Sequence, residues 1–217
     1  VYKRQLVPFP AGGGGRRATV SGRHSGLRET GMSWFVSESL PLEGLKLLKR
    51  QRLEDERGFF SRLFCAEELL GAGWEKPVAQ INHYFTRNRG AVRGLHYQRA
   101  PHAEMKLVTV MRGEILDVAV DIRKGSSTFL QGHAEVLSSD NLCAMLIPEG
   151  FAHGFQAMTA DVEVLYCHSA AYKKEAEAGL SPSDARLDVE WPLEISELSA
   201  RDKNHPPLDD GFTGIAP

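Results

Sequence analysis

The chain predicts an all-β fold, a sandwich or barrel of short antiparallel strands. Three observations carry this. Short apolar runs recur from about Leu45 onward and are broken by turn residues. One run alternates cleanly, with Ile115, Asp117, Ala119 and Asp121 on one face and Leu116, Val118, Val120 and Ile122 on the other. No repeat at solenoid spacing, no glycine-rich fingerprint after a strand and no Gly-x-Ser-x-Gly elbow points to another architecture.

In chain order, residues 1–31 come first and differ in kind. They hold four consecutive glycines, scattered arginines and no helix or strand period. No apolar h-region marks a signal peptide. We read 1–31 as a disordered, non-native or read-through extension, with Met32 as the natural start, and 32–217 as one domain. A helix is predicted over Ala66–Leu70, with Gly71 as its stop. Gln80 to Phe85 reads as a strand, and a polar turn, Thr86 to Gly90, leads into Val92 to Tyr97. Lys106 to Ile122 reads as two strands in a hairpin about Arg112-Gly113-Glu114. Strands follow over Ala134 to Leu137, Ala144 to Ile147, Phe151 to Met158 and Val162 to His168, the last with Val162, Val164 and Tyr166 on one side. The tail from Tyr172 is polar and helix-tolerant, then loop-like past Trp191-Pro192.

Composition excludes several function classes. The formal net charge is -2, and 25% of residues are charged. A nucleic-acid or membrane-surface protein would show a basic excess, so neither partner is expected. No apolar run approaches the roughly 20 residues of a membrane helix. Three widely spaced cysteines, Cys65, Cys143 and Cys167, do not read as a disulfide framework and fit a reducing, cytoplasmic compartment. Cys65 and Cys143 have apolar neighbours and are expected to be buried thiols.

The chemistry rests first on histidines, which titrate near neutral pH. His96 lies in Arg93-Gly94-Leu95-His96-Tyr97-Gln98 and His153 in Pro148-Glu149-Gly150-Phe151-Ala152-His153. Either one alone reads as a histidine satisfied by a backbone carbonyl. A metal site is a second reading. It lacks the closely spaced histidine pair and upstream glutamate such a site needs, because Tyr97-Gln98 follows His96 and only His102 and Glu104 lie beyond. Acid–base chemistry without metal or other cofactor is a third. Lys106, Tyr166, Tyr172, Asp202 and Arg93 adjoin strand-like or motif-like segments. Epimerisation beside a ketone needs a base, an enolate-stabilising donor and an acid on the opposite face. Histidine, lysine and tyrosine supply these roles, but spacing alone does not bring them together.

The order of motifs resembles one family closely. From about Leu45 to Leu208 the chain carries Asp55-Glu56-Arg57-Gly58-Phe59-Phe60, Arg93-Gly94-Leu95-His96-Tyr97-Gln98, Lys106-Leu107-Val108 and Gly113-Glu114. It continues through Asp117 to Arg123, Ile147 to Phe155, Glu190-Trp191-Pro192 and Leu198-Ser199-Ala200-Arg201-Asp202. This resembles the dTDP-4-dehydrorhamnose 3,5-epimerase family of deoxysugar biosynthesis. The resemblance implies a cupin-type jelly-roll barrel with a few short peripheral helices, a homodimer, no metal, and a dTDP-4-keto-6-deoxyhexose substrate inverted at C3, C5 or both. By motif, it implies His96 as base, Asp202 as its dyad partner, Tyr166 as the acid on the other face, and Lys106 and Arg93 lining the sugar and enolate region. It implies His153, Gln80, Asn82 and Tyr172 as pocket residues, and Arg57 and Phe60 as reaching a partner subunit's nucleotide site. The chain departs from the usual family pattern at Arg62, Ile81, Met105 and Pro182, which touch the nucleotide and sugar rims more than the proton-transfer set.

Overall fold

The structure, a computed structural model, describes residues 33–216, so the expected extension over 1–31 lies outside the described residues. Two sheets dominate. The six-stranded sheet runs β1 (Phe35–Ser39), β2 (Lys46–Arg50), β10 (Cys143–Ile147), β7 (Lys106–Arg112), β12 (Val162–His168), β5 (Gln80–Thr86). The five-stranded sheet runs β13 (Glu177–Gly179), β6 (Val92–Gln98), β11 (Phe151–Ala157), β8 (Glu114–Asp121), β9 (Gly132–Ser138). A separate hairpin pairs β3 (Arg52–Asp55) with β4 (Gly58–Ser61). Every ladder is antiparallel. The architecture is a cupin-type jelly roll with two short helices, α1 (Ala66–Leu70) and α2 (Ala200–Lys203).

The core lies between the sheets. Val108, Val110, Met145, Val164 and Tyr166 from one sheet meet Ile115, Ala119, Phe151 and Phe155 from the other. The outer faces are covered as well. Leu69 and Trp74 close over Leu48, Leu107 and Leu146, while Leu180 and Leu187 close over Leu95, Val118, Val120 and Ala152. Strands buried on both faces read as apolar on both faces, and β8 does: Ile115 and Ala119 point to the inner cluster, Val118 and Val120 to the outer.

The expected hairpin about Gly113 does not form. β7 pairs with β10 and β12, whereas β8 pairs with β11 and β9. Each strand already has two neighbours, so no ladder edge remains for the other. The chain instead turns a corner from one sheet to the other. Gly113 makes this possible, with φ of 76° and no room for a Cβ, which would meet Thr159 Oγ1 at 2.5 Å. Other differences are smaller. α1 ends where expected, but Gly71 is right-handed, and the left-handed residue is Gly73, two residues on. Cys65 and Cys143 are half-buried against the apolar clusters, and Cys167 is the buried thiol. The tail also carries β13 and α2, both too short to show a period.

Candidate active site

Between the sheets, a cavity of about 840 Å³ opens from β5, β6, β7, β11, β12 and the α2 segment. Strand alternation aims its walls. Along β5, Gln80, Asn82 and Tyr84 face inward, while Ile81, His83 and Phe85 are exposed. Along β12, Tyr166 and His168 share the inward face with Val162 and Val164. β6 approaches β11 too closely for side chains at Gly94 and Gly154. A Cβ on Gly94, where φ is 136°, would lie 2.5 Å from Gly154 Cα. The register shifts beside this contact, at His153/Phe155, and His96 and His153 end up as cross-strand partners.

His96 Nε2 lies 2.7 Å from Asp202 Oδ1. Asp202 is brought there by α2. Ser199 caps the helix, its Oγ accepting from the Asp202 backbone N–H at 3.1 Å, so the carboxylate occupies the first turn. Burial resists ionisation of Asp202, but hydrogen bonds from His96, Ser199 and Arg201 outweigh it and hold its carboxyl at about 2. Burial also lowers the pKa of His96, with Asp202 opposing that shift. The imidazole is therefore neutral at pH 7. With Nε2–H donated to Asp202, the basic lone pair sits on Nδ1.

On the opposite sheet, Tyr166 is 7% exposed, and its ring lies 4.8 Å from that of Tyr84 and 5.3 Å from that of His153. Burial, reinforced by Asp117, raises its pKa well above 10, so the phenol keeps its proton. His153 in turn bonds Asp117 Oδ1 at 2.7 Å, with both side chains almost fully buried. Lys106 is buried, donates to the His96 carbonyl at 3.1 Å and pairs with Glu104 at 3.4 Å. Arg93 is held by Thr86 Oγ1 and the Phe85 carbonyl, and Tyr172 by Glu177.

Nine of the eleven residues expected from the sequence therefore line one cavity: His96, Asp202, Tyr166, Lys106, Gln80, Asn82, Arg93, His153 and Tyr172. Arg57 and Phe60 do not. They sit on the exposed β3–β4 hairpin, Arg57 paired with Asp55 and Phe60 against Trp34. Residues the sequence reading missed include Tyr84, His168 and Arg201 on the cavity wall, and Asp117 and His205 behind it; Glu104, also on the wall, was weighed only for a metal. Alternation along β5 and β12 carried a signal for Tyr84 and His168; nothing in spacing pointed to Arg201 or His205.

A cation is also considered on geometry. Ligating atoms of His96, Asp202 and His205 lie within 4.8 Å of one another. Arg201 already lies there, Nη2 at 3.0 Å from His96 Nε2 and Nε at 3.3 Å from Asp202 Oδ1. A divalent cation would have to displace a like charge, and the donor set does not fit it.

Comparison with known proteins finds sugar epimerases. The family profile for dTDP-4-dehydrorhamnose 3,5-epimerase matches residues 39–210. A dTDP-4-dehydrorhamnose 3,5-epimerase of Shigella flexneri is 43% identical over 153 residues, 69% of this chain and 83% of the relative. The Bacillus anthracis enzyme of that name, solved with TDP and pyrophosphate, superimposes with a TM-score of 0.78 at 35% identity, covering 80% of this chain and 99% of its own. A dTDP-6-deoxy-D-glucose-3,5-epimerase of Legionella pneumophila, in complex with dTDP-4-keto-L-rhamnose, also gives 0.78, at 34% identity over 84% of this chain and 98% of its own.

Proposed function

We propose, from the premise that this chain belongs to the dTDP-4-dehydrorhamnose 3,5-epimerase family, that it epimerises a dTDP-4-keto-6-deoxyhexose at C3, C5 or both, without a metal or other cofactor. The observation that carries this reading is that His96, on the five-stranded sheet and paired with Asp202 of α2, lines the same cavity as Tyr166 of the six-stranded sheet. Inverting a carbon requires a proton to leave one face and another to arrive on the opposite one. A neutral histidine and a protonated tyrosine on opposing walls are the two groups that step needs.

In this reading, His96 Nδ1 takes the proton from the carbon beside the ketone. The C–H electron pair forms the enolate double bond, and the carbonyl pair moves onto oxygen. The Lys106 ammonium stabilises that oxyanion. Tyr166 then gives its phenolic proton to the other face of the carbon, the enolate collapses to ketone, and solvent restores both groups. Asp202 stays ionised and holds the imidazolium. Arg93 and Arg201 on the cavity wall, together with Arg87, supply positive charge for the diphosphate. Gln80, Asn82, His153 and Tyr172 line the remaining walls as substrate-binding groups.

We read the enzyme as a homodimer in which Arg57 and Phe60 serve the nucleotide site of a second copy. The exposure of Phe59 (62%) and Phe60 (55%) on a hairpin outside the local cavity supports that reading. Its three cysteines are free and no described helix is long and apolar enough to cross a membrane, which supports a cytoplasmic setting.

The test is NMR in D₂O with dTDP-4-keto-6-deoxyglucose and excess chelator. Deuterium should appear at C3, C5 or both, and which positions fill defines the scope. An unlabelled substrate after prolonged incubation would refute the assignment.

A further inference from the structure

Along one wall of the cavity, five residues form a directed run of hydrogen bonds that ends on Glu104, the carboxylate paired with Lys106. It begins at half-exposed Tyr172, whose backbone N–H donates to Gln80 Oε1 at 3.0 Å. Gln80 Nε2 donates to Asn82 Oδ1 at 3.0 Å. That sets the Asn82 amide, so its Nδ2 donates to His168 Nε2 at 3.3 Å. An imidazole accepting at Nε2 carries its proton on Nδ1. His168 Nδ1 lies 2.9 Å from Glu104 Oε2. The other Glu104 oxygen is 3.4 Å from Lys106 Nζ, and Lys106 donates to the His96 carbonyl at 3.1 Å. Each donor meets an acceptor, and turning any one amide or ring over would break the bond to its neighbour.

The three groups at the end of the chain are sealed. Side-chain exposures are 10% for Glu104, 7% for Lys106 and 8% for His168. A buried ammonium is costly without a counter-charge beside it. Among the described residues, Glu104 is the carboxylate paired with Lys106. Burial works against its own ionisation, yet Lys106 and His168 keep its pKa below the ordinary glutamate value. Lys106 has three N–H donors. Glu104 and the His96 carbonyl engage two, leaving one for the cavity.

We propose that Glu104, oriented by His168, is the positioning residue of Lys106. It places a counter-charge beside the ammonium and, with the His96 carbonyl, fixes two of its N–H bonds, so that the third meets the enolate oxygen of the substrate. His168 acts one step further back, by holding the carboxylate in place through a proton fixed on Nδ1 by Asn82 and Gln80. This inference rests on the reading of Lys106 as the enolate-stabilising group.

Glu104→Gln keeps the volume and an acceptor for His168 but removes the charge. Its kcat should fall about tenfold or more, as expected for a lost hydrogen bond to a charged group. KM, and the affinity for thymidine diphosphate alone, should stay within about twofold, because neither binding step engages the third N–H of Lys106. Glu104→Asp, which retains the charge, should recover part of the loss. In a Lys106→Ala background, adding Glu104→Gln should change nothing further, because the glutamate acts only through the lysine. Weak thymidine diphosphate binding by Glu104→Gln would indicate a structural defect and overturn the positioning role. So would losses that multiply in the double variant, or a wild-type kcat in Glu104→Gln beside a slow Lys106→Ala; the proposed reaction would survive each of these results. A wild-type rate in Lys106→Ala would instead refute the role given to the lysine itself.

Discussion

Two neighbouring histidines of the five-stranded sheet each pair with an aspartate, and in the proposed function only one carries the proton transfer. His96 and His153 are register partners on β6 and β11, and each bonds an aspartate oxygen at 2.7 Å. Their surroundings differ. The His96 side chain is 24% exposed and its partner arrives from a short helix in the tail. The His153 side chain is 2% exposed, its partner Asp117 comes from the neighbouring strand β8, and Asp117 Oδ2 is buried without a hydrogen-bond partner. Equal distance therefore does not make equal function. A base must reach substrate and exchange its proton with solvent, which His96 can do. His153, packed against the Tyr166 ring at 5.3 Å, is largely closed off from solvent.

The comparison can be broken most forcefully at His96. His96→Ala should lower kcat by roughly 10²–10⁴-fold, the usual worth of a positioned acid–base group, with thymidine diphosphate affinity unchanged by calorimetry. Retained activity would move the base elsewhere. Tyr166→Phe should cost about 10²-fold in epimerisation. It should spare proton removal, so that deuterium still washes into substrate without inversion; loss of that wash-in would deny the tyrosine its role as the separate acid.

The sealed pair should instead register as stability. Asp117→Asn removes the carboxyl group that His153 bonds in a dry site and should cost about 1–3 kcal/mol. That should lower the melting temperature by several degrees, with a far smaller effect on kcat than Asp202→Asn. The pH dependence sharpens the same contrast. Burial puts the His96 pKa below 6.5, with Asp202 pulling it back up. The base form therefore dominates at neutral pH, and kcat/KM should fall only as pH drops below about 6.5 and His96 protonates. Removing the charge of Asp202 removes the pull upward, so the acid limb of Asp202→Asn should shift to still lower pH. The limb of Asp117→Asn should stay put. The smallest effect is expected at His205, whose Nε2 is 3.8 Å from Asp202 Oδ1, beyond hydrogen-bond reach. His205→Ala should change kcat less than about threefold.

What the sequence disclosed follows the range of the forces involved. Strand identity is local, so the alternation over residues 115–122 and the run Val162 to His168 identify real strands and group the residues that share a face. Pairing is non-local. Two strands joined by one glycine looked like a hairpin, yet each belongs to a different sheet because its partners lie elsewhere in the chain. The site divides the same way. His96 sits in a readable motif, but Asp202, 106 positions away, was tied to it only through resemblance to a family. Asp117 was placed on one face of its strand with Ile115 and Ala119 and still not matched to His153, since that match depends on the register between β8 and β11. Glu104 was weighed as a metal ligand, because nothing local shows that β12 brings His168 to it.

The account turns on which histidine–aspartate pair moves the proton, and one measurement addresses that directly. Solvent deuterium incorporation into the 4-keto sugar should be timed by NMR for Asp202→Asn and Asp117→Asn side by side, each at a pH where it is folded. We expect the Asp202 variant to exchange at least about 10²-fold more slowly than wild type and the Asp117 variant to remain within about tenfold. Comparable losses in both, or the larger loss in Asp117→Asn, would contradict the assignment of chemistry to the exposed pair.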